Sequence, residues 1–262
     1  MARAKNIIFQ ARYGILPTGV IREFLLKFSK DRRRWLQWLY EAKKRYGLVI
    51  LNYAVTSNHI HLLVVGGNER DVIPNSIKLI AGRTGQEFNQ RKSRKGAYWE
   101  DRYHATAIES GDHLLKCLIY IDLNMVRAGV VAHPSEWAFC GYNEIQEPKR
   151  KNVLINCQRL TELLGFDSYD EVKIYHKRWV DDYLENGKKT RDDKWTMSIA
   201  VGSRGFVDRV KSILGVLALG RKSIESGESY QLREPSVPYN AYFEGKKDDI
   251  GSENTLLWDV NL

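Results

Sequence analysis

The chain has 262 residues, 43% of them hydrophobic, and a formal net charge of +9. That composition supports a packed core and excludes a disordered chain. No apolar stretch reaches the length of a membrane span and the N-terminus lacks the apolar core of a signal peptide. Cys117, Cys140 and Cys157 show neither C-x-x-C spacing nor a disulfide framework. The charge is uneven: residues 1–180 carry 29 Lys/Arg against 18 Asp/Glu, whereas residues 181–262 carry 12 against 14. A polyanion suits the basic part, nucleic acid being the obvious one, and the expected location is the cytoplasm, at the nucleoid.

In chain order, residues 6–21 open with an apolar run, Asn6-Ile7-Ile8-Phe9, but Gly14, Pro17 and Gly19 then interrupt it. Such residues are disfavoured in a central strand. Residues 22–46 read as one or two helical segments. Asp31 is an N-cap candidate there, and the run to Tyr40 alternates cations with aromatics, as the solvated basic face of an amphipathic helix would. Leu48 to Val55 reads as a strand that Thr56-Ser57 turns into a second, Asn58 to Val65, closed by Gly66-Gly67.

A strand points residues i and i+2 to one face, so His59 and His61 project together. Two neutral imidazoles side by side are half of a divalent-metal site; the alternative is an edge strand with two solvated histidines. Residues 72–91 again read as helix. The loop Arg91-Lys92-Ser93-Arg94-Lys95-Gly96 and the adjoining Tyr98-Trp99 fit an exposed turn. They equally fit a phosphate-tracking loop with stacking platforms for unpaired bases. Tyr103 to Ile108 reads as a last strand, and its His104 is assigned no catalytic role.

From Asp112 to Arg127, apolar residues at 114, 118, 121 and 125 have helical spacing, with Asp112 as N-cap and Gly129 as the stop. His113, Lys116, Tyr120, Asn124 and Arg127 form a polar stripe at steps of 3, 4, 4 and 3. Tyr120 and Asn124 lie one above the other on it. A tyrosine nucleophile for phosphoryl transfer fits this stripe; a core tyrosine with a satisfied hydroxyl fits it too.

The runs NHIHLLV and YIDLNMVRAGVV together resemble the HUH-type single-tyrosine transposases of insertion sequences, and most of all the REP-associated tyrosine transposases. The resemblance spans about the first 145 residues. It implies that His59, His61 and Asn124 hold a divalent metal, Mg²⁺ or Mn²⁺. Tyr120 would attack single-stranded DNA to give a 5′-phosphotyrosine. Arg91, Lys92, Arg94, Lys95, Trp99, Arg102, Lys116 and Arg127 are the expected DNA contacts. Thr56-Ser57 and Met125 stand where many members carry Met-Pro and proline, away from any reacting group.

The first strand departs more seriously. Members carry there an aromatic-His-x-Thr-x-Arg pattern, absent from residues 6–21. Read one nucleotide earlier, permitted codons for this stretch encode Lys-His-Tyr-Ile-Pro-Gly-Lys-Val-Trp-His-Ile-Thr-His-Arg-Cys-His-Lys, which has it. Two compensating frameshifts, or an error in the gene sequence, would explain the change and would remove a central strand.

The expected fold is α+β, a ferredoxin-like antiparallel sheet with helices packed on one face and a mainly helical C-terminal extension. The expected divisions are a catalytic domain over 1–147, a helical extension and linker over 148–190, and a small C-terminal region with an irregular tail over 191–262. The expected function is transposition: cleavage and rejoining of single-stranded, hairpin-bearing DNA by a monomer or homodimer that does not engage membranes. The rivals are a non-catalytic DNA hairpin-binding protein and a metal-dependent phosphodiesterase that uses water.

Overall fold

The computed structural model describes residues 8–14, 26–57, 59–66, 71–96, 98–99, 104–186 and 192–233. The expectations for Arg102 and for the tail from Glu234 onward lie outside these residues.

The class is α+β, as expected. The first unit runs β1 (Ile8–Gly14), α1 (Ser29–Tyr46), β2 (Val49–Val55), β3 (His59–Val65), α2 (Val72–Arg91), β4 (His104–Ile108) and α3 (Asp112–Asp122). Its strands stand in the order β2-β3-β1-β4 and every pair is antiparallel. The hairpin of β2 and β3 is closed by Thr56. Its Oγ1 accepts from the His59 N–H at 2.9 Å, and its own N–H donates to His59 O at 2.9 Å.

The expectation of a lost central strand is corrected here. Ile8–Gly14 lies between β3 and β4, with Arg12 opposite both His61 and His104. The strand uses part of the apolar run, Ile8-Phe9, and extends to Gly14.

Beyond α3 come α4 (Asn124–Arg127), α5 (Tyr142–Gln146), α6 (Cys157–Leu164), α7 (Tyr169–Asn186) and α8 (Lys194–Met197). Then β5 (Ala200–Gly202), α9 (Arg204–Leu214), β6 (Lys222–Ser226) and β7 (Ser229–Arg233) follow. The last three strands continue the same sheet as β4-β5-β7-β6, with β5 parallel to β4. Periodicity did not mark them: β5 has only three residues, and every residue of β6 is exposed.

The main core gathers the inner residues of β2 and β3 with Trp35 and Leu39 of α1 and Leu114, Leu118 and Ile121 of α3. Trp35, Leu39, Leu62 and Leu118 are at most 1% exposed, and each such side chain contributes about 1.5–3 kcal/mol. A second, smaller cluster joins Ala107 of β4 to Ala200, Val207, Val210 and Leu232.

Helix starts differ from the sequence expectation. Phe28, not Asp31, caps α1, and Gly111 with φ +77° precedes α3. Asp31 lies instead in the first turn of α1, 7% exposed, where Arg91 at the end of α2 donates to it at 2.6 Å. The neighbouring Arg32 is turned inward. Its Nη1 donates to Leu26 O and Lys27 O at 2.7 and 2.9 Å, and its guanidinium lies over Trp137 and Phe139. Burial lowers its pKa, and the charge of Asp31 opposes that shift.

Candidate active site

The H-x-H strand and the tyrosine helix meet. Asn124 Nδ2 lies 3.0 Å from His61 Nε2. The Tyr120 ring stands edge-on to His61, with centroids 5.8 Å apart. Arg127 covers the Tyr120 ring at 4.2 Å and donates to the Tyr120 carbonyl. His61 is 3% exposed and Tyr120 6%, while His59 and Asn124 are half-buried.

The expected single helix over 112–127 is interrupted at Leu123, between α3 and α4. The Leu123 N–H still bonds Ile119 O and the Arg127 N–H bonds Leu123 O, so Asn124 stays near the turn of Tyr120. Gly129, with φ +69°, takes the left-handed position expected of a helix stop.

A divalent ion fits the donor set. The carboxamide oxygen suits a hard ion such as Mg²⁺ or Mn²⁺, imidazole nitrogen also serves the later divalent metals, and a set without a thiolate or third histidine does not favour zinc. Among the described residues no three His, Cys, Asp or Glu side chains form a metal set.

Two groups at the site escaped the sequence reading. Trp195 of α8, 3% exposed, packs on Tyr120 with centroids 6.3 Å apart. Asp122, 2% exposed, leads into a buried polar chain. Its Oδ1 accepts from Asn52 Nδ2 at 2.9 Å and its Oδ2 from His176 Nε2 at 2.7 Å, while His176 Nδ1 lies 2.9 Å from Gln146 Nε2. A carboxylate between Ile121 and Leu123 in an apolar helix was the available signal, since a buried charge requires partners. Nothing in the spacing names Asn52 and His176 as those partners.

The expected DNA contacts separate. Lys92 and Lys95 are exposed on the loop after α2, whereas Arg91 is committed to Asp31. Trp99 donates its indole N–H to Ala81 O at 2.9 Å, and Tyr98 is 4% exposed against Phe88. Burial pushes the Tyr98 hydroxyl far above its usual pKa. Tyr98 is packed in the core, whereas Trp99 is half-buried. Lys116 reaches Glu228 in the β6–β7 turn at 2.9 Å, an exposed pair that water and salt screen.

The comparisons with known proteins fall on this same unit. Residues 7–124 match the family model described as IS200-like transposase. That segment is similar to the IS200-like transposases. The match begins with β1 and ends on Asn124, so His59, His61, Tyr120 and Asn124 all lie within it. Similar solved structures include a REP-associated tyrosine transposase bound to a REP hairpin. It is 18% identical with a TM-score of 0.44, over 55% of this chain and 81% of that one. Another is a transposase candidate from Deinococcus radiodurans R1, 13% identical with a TM-score of 0.31, over 40% of this chain and 81% of that one. No curated protein matches the chain. Among the described residues no helix is long and apolar enough to cross a membrane.

Proposed function

We propose that this chain is an IS200-like transposase that cleaves and rejoins single-stranded DNA, with Tyr120 as nucleophile and hairpin-bearing ends as substrate. What supports the reading is the convergence of His61, Asn124 and Tyr120 from a strand and a helix that are far apart in sequence. In the reaction the Tyr120 oxygen bonds to a backbone phosphorus and gives up its proton. The bond from that phosphorus to the 3′-oxygen breaks, and the 3′-oxygen leaves as a hydroxyl. One ester replaces another, so the step needs no nucleotide triphosphate. The second transfer reverses the sequence with a new 3′-hydroxyl.

His59, His61 and Asn124 would hold a divalent ion, Mg²⁺ or Mn²⁺, which when bound polarises the scissile phosphate. Arg127 keeps the Tyr120 ring in place and brings a positive charge to the region where the phosphoryl group gains charge. Whether the chain acts as a monomer or a homodimer does not alter these assignments.

One observation favours a second reading, a DNA-binding protein without strand cleavage: Tyr120 is 6% exposed, with Trp195 against it. Cleavage requires α8 to yield to the DNA. The test is a denaturing gel of purified protein with Mn²⁺ or Mg²⁺ and labelled single-stranded DNA from the gene's flanks, beside Tyr120→Phe. A metal-dependent covalent band lost in Tyr120→Phe is the expected result. Tight DNA binding without a band in either protein would favour the second reading, and multiple turnover without a band would favour hydrolysis by water.

A further inference from the structure

A basic trough lies on the opposite side of β2 from β3, built by α1 and the loop before α6. Two concavities share Tyr40 and Asn152. The first, 620 Å³, is lined by Arg33, Arg34, Trp38 and Lys149, and the second, 500 Å³, by Lys43, Lys44, Arg150 and Lys151. Glu41 is the single acidic residue lining either one. Of these seven cations, Arg34, Lys44 and Lys149 are paired with Glu87, Glu41 and Glu144, and the excess positive charge on the surface suits a polyanion.

The loop is held firmly in this place. Glu144, 1% exposed, accepts from the N–H groups of Leu154 and Ile155 at 2.6 and 2.8 Å. Lys43 Nζ donates to Val153 O and Leu154 O at 2.8 and 3.0 Å, tying the loop to α1. Ile155 bridges Ile50 on the outer edge of β2, and Asn156 N–H donates to Ile50 O at 2.8 Å. One buried carboxylate and one half-buried ammonium thus fix a loop whose tip, Lys149-Arg150-Lys151, is exposed. Arg33, Arg150 and Lys151 make no ion pair among the described residues. The loop lies beyond the family match, which ends at residue 124.

We infer that this trough binds the phosphate backbone of a DNA stem, apart from the Tyr120 site; the inference rests on the reading of the chain as a DNA transposase. The aromatic faces decide for backbone over bases. Arg34 and Arg83 lie over Trp38 at 4.8 and 5.5 Å, and Lys44 lies over Tyr40 at 5.7 Å. Rings covered by cations offer unpaired bases no stacking platform, whereas a duplex presents its phosphates without needing one.

The test uses the full chain carrying Arg150→Glu with Lys151→Glu, and separately Arg33→Glu with Lys44→Glu. Fluorescence anisotropy follows a labelled hairpin from the gene's flanks and an unpaired strand of equal length across a salt series, with melting curves as the folding control. Each phosphate contact contributes about 0.9 to the slope of log affinity against log salt. Either double variant should therefore lower the hairpin slope by about 2 while the unpaired strand binds as before. An unchanged hairpin slope in both folded variants would overturn the inference. Equal loss for hairpin and unpaired strand would overturn the assignment to a stem. Covalent-band formation on a stemless substrate is read in parallel, so failure of the Tyr120 chemistry is distinguished from failure of the trough.

Discussion

Replacing His176 with alanine probes the buried chain behind the tyrosine helix. His176 and Asp122 side chains are both fully buried and meet at 2.7 Å, and Asn52 supplies the other carboxylate oxygen with a donor at 2.9 Å. His176 Nδ1 lies 2.9 Å from Gln146 Nε2 on its other side. Alanine removes that partner of Asp122 and opens a void the size of an imidazole. Removing one partner of a buried pair costs about 3–5 kcal/mol, from a total stability of about 5–15 kcal/mol. For a chain of this size that corresponds to a fall in Tm of about 6–20 °C. Circular dichroism melts and urea midpoints of the variant and parent measure it. Because Asp122 sits between Tyr120 and Asn124, covalent-band yield should fall even at temperatures where the variant is folded. A Tm within about 4 °C of the parent would refute the reasoning, since that shift corresponds to only about 1 kcal/mol.

Gly141→Ala should be destabilising by about 1–3 kcal/mol through crowding alone. An added Cβ would lie 2.1 Å from Asn52 Oδ1, an atom already bound to the Tyr53 N–H, and the glycine's φ of −75° is ordinary; an unaltered urea midpoint would contradict this. His61→Ala should abolish binding of Mn²⁺ read by electron paramagnetic resonance, and Asn124→Asp should retain it. Equal Mn²⁺ binding by His61→Ala would remove His61 from the ligand set. Burial lowers the His113 pKa below its usual 6.5, outweighing Glu109 at 3.7 Å, which raises it. The folded state then resists protonation, so the contribution of His113 is complete above pH 6.5 and declines as the pH falls below it. His113→Asn should flatten the acid side of the Tm–pH curve over that range, and superimposable curves would show that another group sets it.

The chain by itself determined the elements that carry a local period or a local stop. The strands around His59 and His61 follow from β-branched runs ended by Thr56-Ser57 and Gly66-Gly67. Helix α2 runs over residues 72–91 as its spacing predicts, and Tyr120 and Asn124 share a helical face because 3.6 residues make a turn. The tertiary structure decided which of those faces meet. His61 and Asn124 are 63 residues apart, and only the antiparallel packing of β3 beside β1 and the docking of α3 bring their tips to 3.0 Å. It also decided what a local pattern cannot carry. Arg91 and Arg32 look alike as cations in sequence, yet one is bound to Asp31 and the other to backbone carbonyls beneath aromatic rings. Trp195, Asn52 and His176 became neighbours of the tyrosine helix through contacts of long sequence separation. Such contacts are selected by the burial and hydrogen bonding of whole elements, and no periodicity within one element encodes the identity of its partner.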